Sequence, residues 1–476
     1  MISLQAAATK ASESEQYRSP DGIVRFVREV LRADPAPYQE DILRNFVLHK
    51  RAAVRGPHGL GKTALSSWII LWGASCCGDD VKVVTTASAW RQLTHYTWPE
   101  VRKWAARAMW ELLGLRMRRD HEILEYGIKL PGREAFAVAS NDPALIEGAH
   151  AKTLLYVLDE SKSIPDPFWD AIEGAFSGAG SDTEADAFAL AISTAGAPSG
   201  RFYDIHKRKR GYEEWWVRHV TLEEAVAAGR VSREWADGRK AQWGESSPVY
   251  QNRVLGNFAE SGTDSVIPLA WIDQAVERWH ERGGKGEGKE SWGQDVAYTG
   301  DDDSVLACLV GSTFTELRVT SLEDPMQTAG RAIAALRQNM DIPIAVDVIG
   351  VGAGTYARLA EQGYQAIACN VAEATDLKDR SGELRFINLR AALWWALREA
   401  LDPANGEDVA LPPDDLLIGE LTAPRWTYTS AGKIKIEAKD DIRKRLGRST
   451  DRADAIALAW YAGRLANIRK WRIGLW

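Results

Sequence analysis

Cysteine and methionine are scarce, four and five residues in a chain of 476. Cys76, Cys77, Cys308 and Cys369 stand singly or as a neighbouring pair in apolar segments, without metal-ligand spacing or a disulfide framework. A cystine-stapled scaffold is excluded, and a reducing, intracellular setting is the expectation. No apolar run approaches the roughly 18 residues that a membrane span needs, so no membrane partner is expected. The opening stretch, MISLQAAATKASESEQYRSPDG, lacks the charged start and apolar core of a signal peptide. Residues 1–30 read as a flexible N-terminal arm. Positive charge is not in excess either: 59 Lys and Arg stand against 66 Asp and Glu, a formal net charge of −7. That balance excludes a protein uniformly coated for nucleic acid but allows a local basic groove on an acidic body.

What is present is a globular composition, 45% hydrophobic and 26% charged, with 20 tryptophans that suit core and element-end packing. The length exceeds what one core usually organises, so two domains of about 200 residues are expected. In the first half, the strand-like runs AAV at 52–54, VKVVTTA, AFAVAS, TLLYVLDE and FALAIST alternate with helical patterns. That alternation predicts an α/β domain over residues 31–262 with a parallel, helix-flanked sheet. Residues 263–290, closing on the glycine-rich and charged ERGGKGEGKES, read as a linker. From 291 to 476, three strand-like runs in quick succession precede helix-strand-helix alternation, which predicts a mixed sheet opened by an antiparallel meander.

GPHGLGKT, residues 56–63, follows the strand-like AAV and precedes the helix-like TALSSWIILW, the context that a phosphate-binding loop requires. Gly56, Gly59 and Gly61 let backbone N–H groups converge on phosphate oxygens, with Pro57, His58 and Leu60 between them. Lys62 neutralises β/γ charge and Thr63 is placed to ligate Mg2+. TLLYVLDE ends in Asp159, suited to hydrated Mg2+, and Glu160, suited to orient the attacking water. Upstream, Tyr38 and Gln39 offer an aromatic face and an amide to adenine. Ser193 and Thr194 end a strand expected beside that of Asp159, where they would couple the γ-phosphate to motion; ordinary turn chemistry explains them nearly as well.

In the second half, Asp295 lies in the strand-like SWGQDVAY, Asp347 closes IPIAVDV, and Asp451 and Asp454 open the helix-like DRADAIALAWYAG. Singly, each reads as a strand-end or N-cap residue. Jointly, they suit a site for two Mg2+ or Mn2+ ions about 4 Å apart, the apparatus of phosphodiester hydrolysis. Residues 433–452 carry eight Lys or Arg and four acidic residues. Lys433, Lys435, Lys439, Lys444, Arg445 and Arg448 are the candidates for a phosphate-backbone track, with a solvated basic hairpin as the plainer explanation.

In their order, RGPHGLGKT, LLYVLDE, GQDVA, AVDVIGVGAG and GRSTDRADAIALA resemble the large terminase subunit of tailed double-stranded DNA phages, over roughly residues 30–465. The resemblance implies a P-loop ATPase followed by a nuclease of RNase H-like fold. It implies that ATP hydrolysis drives DNA into a capsid and that the nuclease cuts concatemeric DNA. It assigns Lys62 and Thr63 to phosphate and metal, Asp159 to Mg2+, Glu160 to the catalytic base, and Asp295, Asp347 and Asp451 to nuclease metals, with Asp454 as a fourth ligand. Double-stranded DNA, a portal protein and a small terminase subunit become the expected partners. A ring on the portal is expected, with a monomer in isolation, in the host cell cytoplasm and transiently docked on the procapsid. Many relatives have an arginine where this chain has His58 or Glu147; Arg55, beside the loop, is the substitute considered. A helicase-like or resolvase-like repair enzyme and a nucleotide-switched DNA-binding scaffold are the competing readings.

Overall fold

The computed structural model describes residues 13–115, 122–139, 150–177, 185–259, 264–297, 303–321, 324–337, 339–446 and 448–473. Two compact units divide the chain, Met1–Ala236 with Gln251–Ala259, and Asp237–Tyr250 with Glu260–Trp476.

Alternating apolar runs in the first unit form strands β1 (Arg51–Arg55), β2 (Val81–Ala87), β3 (Glu122–Ile123), β4 (Gly127–Leu130), β5 (Arg133–Ala137), β6 (Thr153–Asp159), β7 (Asp186–Ser193) and β8 (Trp216–His219). Their order in the sheet is β3-β4-β5-β2-β6-β7-β1-β8. From β5 to β8 every pairing is parallel, whereas β3 and β4 add an antiparallel edge. Strands such as β6 and β7 are buried almost throughout, the pattern of a sheet covered on both faces. The helix Lys62–Cys76 buries Leu65, Trp68, Ile69 and Trp72. It comes so close to β6 that a Cβ on Gly73 would meet Leu155 Cδ1 at 2.6 Å.

The N-terminal segment departs from the sequence reading. Residues 13–30, expected within a flexible arm, are ordered against this core: Ser19 caps the helix Pro20–Arg25, and Tyr17, Ile23, Val24, Phe26, Val27 and Val30 are buried. Their helical spacing supplies an apolar face that the polar flank before them obscures. Residues 1–12 lie outside the described residues.

The second unit builds its sheet from β9 (Glu290–Asp295), β10 (Ser304–Val310), β11 (Thr313–Thr320), β12 (Ile344–Asp347) and β13 (Ala366–Cys369), in the order β11-β10-β9-β12-β13. The first three strands are antiparallel, and β12 and β13 join in parallel, so the sheet is mixed as expected. The stretch expected as a linker contains the helix Leu269–Glu281, which buries Leu269, Ile272 and Ala275. It groups with the second unit, as do residues 237–250, placed by sequence in the first domain.

Gly293 decides how the final helix meets this sheet. A Cβ there would lie 2.2 Å from both Ala455 O and Ala459 N of the helix Asp451–Ile473. Only glycine permits that approach. Gly293→Ala is expected to lower stability by about 1–3 kcal/mol, which denaturant unfolding checks.

Candidate functional site

In the first unit, parallel pairing aligns the carboxyl ends of the central strands. Ala87 pairs with Asp159, Asp159 with Ile192, and Ser193 with Arg55. The strand ending in Ser193 therefore lies between the strand that launches the phosphate loop and the strand that ends in Asp159. This edge is where parallel α/β sheets gather ligands.

Gly59 and Gly61 have φ values of 83° and 80°, which side-chain-bearing residues rarely adopt. They turn the loop into the helix Lys62–Cys76, leaving the helix's first N–H groups available to an anion. Lys62 Nζ folds back to Pro57 O at 3.4 Å. Desolvation holds its pKa below the usual lysine value, against the pull of Glu160 and Asp159. Thr63 follows it at the start of the helix, with its carbonyl bonded to Ser67 Oγ.

Tyr38 and Gln39 contact the loop itself. Tyr38 donates its hydroxyl to Leu60 O at 2.7 Å, and Gln39 Oε1 accepts from Ala36 N at 2.9 Å. Among the described residues Gln39 Nε2 is buried without a hydrogen-bond partner, and a Cβ on Gly61 would stand 2.9 Å from it. A fully buried amide donor beside a phosphate loop is a polar group awaiting an acceptor.

Asp159 is buried, and its Oδ2 accepts from Thr97 Oγ1 at 2.8 Å. Burial, then the neighbouring Glu160, raise its pKa. Glu160 has φ 47° and ψ 47°, a left-handed backbone on a non-glycine residue, and such strain tends to collect at functional sites. Its Oε2 accepts from Ser193 Oγ at 2.9 Å. Thr194 Oγ1 is buried with no partner among the described residues. Arg55 pairs with no carboxylate among the described residues: it donates to Gly256 O and stacks on Phe258 at 5.0 Å. Burial pushes its pKa down to about 10. His58 meets the same segment through its backbone N–H, which donates to Arg253 O at 2.8 Å. Glu147 lies outside the described residues.

In the second unit, Asp295 ends β9, Asp347 ends β12, and Asp451 and Asp454 occupy the first turn of the helix laid across Gly293. Three of these carboxylates surround one ammonium. Lys439 Nζ lies 2.8 Å from Asp295 Oδ2, 3.0 Å from Asp451 Oδ1 and 3.3 Å from Asp454 Oδ2. Burial alone would lower the lysine pKa, but the three carboxylates hold it well above the usual value. Burial raises Asp295 well above the carboxylate range, and raises Asp347 as well. Asp454 moves the other way: burial pushes it up, but Lys439 and Arg390 hold it below its ordinary value. Trp394 Nε1 and Thr450 Oγ1 donate to the two Asp454 oxygens at 2.7 and 2.8 Å. Asp347 Oδ1 accepts from Ile349 N at 3.0 Å.

The basic track is corrected in two places, at Lys439 and Arg448. Lys439 is the central cation of the carboxylate cluster, the kind of counter-charge that buried acids demand, with Arg390 Nε 3.7 Å from Asp454 Oδ1 beside it. Arg448 is drawn inward by Glu420, 3.6 Å away, and donates to Leu416 O. Arg445 is tied to Glu437 at 2.7 Å and to Ala423 O. Lys433 and Lys435 flank Ile434 in the hairpin of β14 (Trp426–Tyr428) and β15 (Ile434–Ile436), and Lys435 and Lys444 are exposed. Thr97, Trp394, Thr450 and Glu420 are partners that sequence reasoning missed. Glu420, a lone acid amid the apolar LLIGELTAP, left the clearest trace.

Among the described residues, no three carboxylate, imidazole or thiol groups already stand arranged for a metal ion. The donor set, four carboxylates with Lys439 among three of them, nevertheless fits hard divalent cations once that ammonium withdraws. Removing the cation leaves like charges facing one another. Lys439→Met is therefore expected to lower stability in EDTA by about 1–3 kcal/mol, less than for a fully buried pair because 35% of the lysine side chain is open to solvent. Added Mn2+ is expected to raise the melting temperature of this variant more than that of the parent chain.

No protein-family profile matches the chain. A curated relative, the probable large terminase subunit of Enterobacteria phage P7, is 26% identical over 343 residues, 68% of this chain and 66% of the relative's length. The nuclease domain of the large terminase subunit of bacterial virus Sf6 aligns with 41% of this chain and 98% of its own, at 22% identity and a TM-score of 0.37. The large terminase of a thermophilic bacteriophage aligns with 94% of this chain and 98% of its own, at 12% identity and a TM-score of 0.38.

Proposed function

We propose, on the premise that the chain is a relative of phage large terminase subunits, that it is the motor and nuclease subunit of a DNA-packaging machine. It hydrolyses ATP to move double-stranded DNA into a procapsid and cuts concatemeric DNA at a two-metal site. One observation carries this reading: a phosphate loop two strands from Asp159-Glu160, and carboxylates converging on one cation in a second, mixed sheet, occur in the same chain.

At the first site, backbone N–H groups from Gly56 to Thr63 cradle the phosphates, Lys62 neutralises their charge, and Thr63 and Asp159 hold Mg2+. Tyr38 and Gln39 brace the loop, and the unpartnered Nε2 of Gln39 is offered to the nucleotide. Glu160 orients and deprotonates the attacking water. Ser193, bonded to Glu160 from the intervening strand, keeps that carboxylate aimed and links it to Thr194 and the loop beyond.

At the second site, Asp295, Asp347, Asp451 and Asp454 hold Mg2+ or Mn2+. Bound cations there supply an activated water and stabilise the leaving oxygen. Lys439, enclosed by Asp295, Asp451 and Asp454, would have to leave its place for such ions to be held. Lys433, Lys435 and Lys444 contact that backbone without reading sequence. The partners are duplex DNA, a portal protein and a small terminase subunit. A ring of copies works on the portal, in the host cytoplasm.

The test is a paired assay on the full-length chain: ATP turnover with and without duplex DNA, and relaxation of supercoiled plasmid with Mn2+, Mg2+ or EDTA. DNA-stimulated turnover and metal-dependent cutting are expected. Absence of cutting in every metal would favour a nucleotide-switched scaffold instead.

A further inference from the structure

Glu420 is 1% exposed within the helix Asp415–Thr422, between Gly419 and Leu421. A carboxylate at such a place is costly unless partners compensate it. Its Oε2 accepts from the backbone N–H of Ala453 at 3.1 Å, in the first turn of the helix Asp451–Ile473, between Asp451 and Asp454. Its Oε1 lies 3.5 Å from Arg452 Nη1 and 3.6 Å from Arg448 Nη1.

Each guanidinium is fixed in turn. Arg448 donates to Leu416 O at 3.0 Å, and Arg452 lies 3.7 Å from both Asp303 Oδ2 and Asp414 Oδ2. The backbone N–H of Asp303 closes the circuit by donating to Asp451 Oδ2 at 3.0 Å. Glu420 thus fills the role of a carboxylate at a helix start, where unpaired N–H groups and the helix dipole favour negative charge. The turn carrying Asp451 and Asp454 cannot rotate without breaking the bond from Ala453 and leaving a buried charge beside two arginines.

We infer that Glu420 is a positioning residue that sets the divalent-metal affinity of the Asp295, Asp347, Asp451 and Asp454 site by fixing the helix turn from which two of its ligands project. This rests on the reading of those aspartates as metal ligands. Both Glu420 oxygens are engaged by Ala453 and the arginines, so its effect on the ion runs through Asp451 and Asp454. Partners of this kind, one step removed from the metal, typically change affinity by about 10–100-fold.

Glu420→Gln tests the inference with little change of shape. Its amide oxygen still reaches Ala453 N, but its NH2 group then faces guanidinium donors instead of satisfying them. Mn2+ binding to the full-length, nucleotide-free chain is followed by the loss of the free-ion electron paramagnetic resonance signal, beside Mn2+ titrations of plasmid cutting. The parent, Asp347→Ala and Glu420→Gln are compared. The glutamine variant is expected to bind Mn2+ about tenfold more weakly and to recover cutting at saturating Mn2+, a rescue that general misfolding would not allow. If it melts below the assay temperature, Glu420→Asp carries the same expectation, because its shorter arm cannot reach Ala453 without strain. Affinity unchanged to within about twofold, or cutting that saturating metal fails to restore, overturns the positioning role. Equal Mn2+ binding by the parent and Asp347→Ala would instead overturn the metal-site reading beneath it.

Discussion

Replacing Glu160 by glutamine is expected to stop ATP turnover while leaving nucleotide binding in place. The side chain stands one residue beyond Asp159, at the sheet edge that the phosphate loop also faces, and its left-handed backbone turns it away from the strand it ends. Ser193 Oγ holds Glu160 Oε2 at 2.9 Å, a bond that the glutamine carbonyl can also accept, so the geometry of the site survives the exchange. What is lost is basicity. An amide cannot take a proton from water, and the loss of a positioned general base typically costs about 10²–10⁴-fold in rate. Lys62, Thr63 and the loop amides are untouched, so binding of a fluorescent ATP analogue should match that of the parent. Steady-state hydrolysis at the parental rate would remove Glu160 from the role of base. Ser193→Ala is informative beside it: partial loss of turnover with binding retained would show that the hydroxyl aims the carboxylate.

How far the sequence exposes this architecture depends on the physics behind each feature. The phosphate loop and the strand ending in Asp159-Glu160 were legible because backbone requirements are local: glycines where φ is positive, an apolar run where both sheet faces are covered. The meander and the parallel strands of the second sheet could be read for the same reason. The packed segment 13–30 was not, because its apolar face is short and preceded by a polar stretch. Lys439 was hidden more deeply. In KIKIEAKDDIRKRLGRSTDR it is one cation among many, and nothing local separates a lysine that contacts solvent from one enclosed by carboxylates brought from two other elements. Arg448 was hidden in the same way, since the acid that claims it, Glu420, is chosen by tertiary packing. Charge density along the chain shows where cations are concentrated. It does not show which of them the fold draws inward.

Asp347→Ala should eliminate plasmid cutting in Mg2+ or Mn2+ while sparing ATP hydrolysis. This aspartate is the cleanest of the four to remove. Asp295, Asp451 and Asp454 each form an ion pair with Lys439, so truncating any of them disturbs a buried network and confounds lost chemistry with lost stability. Among the described residues Asp347 makes a single side-chain hydrogen bond, from Ile349 N, at the end of β12 where the chain turns into the helix Gly352–Glu361. That turn is held by close backbone approach rather than by the carboxylate, because a Cβ on Gly352 would fall 1.8 Å from Asp347 O. Alanine should therefore preserve the fold, and burial already raises the pKa of Asp347, so removing its charge relieves a cost. Loss of one ligand from a site built only of carboxylates leaves fewer negative oxygens for each divalent ion, and cutting is expected to fall by at least about 10²-fold, with weakened Mn2+ binding. On the proposed reading ATP turnover depends on residues of the other unit, so it should stay at the parental rate. Undiminished cutting by this variant would sink the two-metal reading and leave the ion pairs of Lys439 as a structural staple alone.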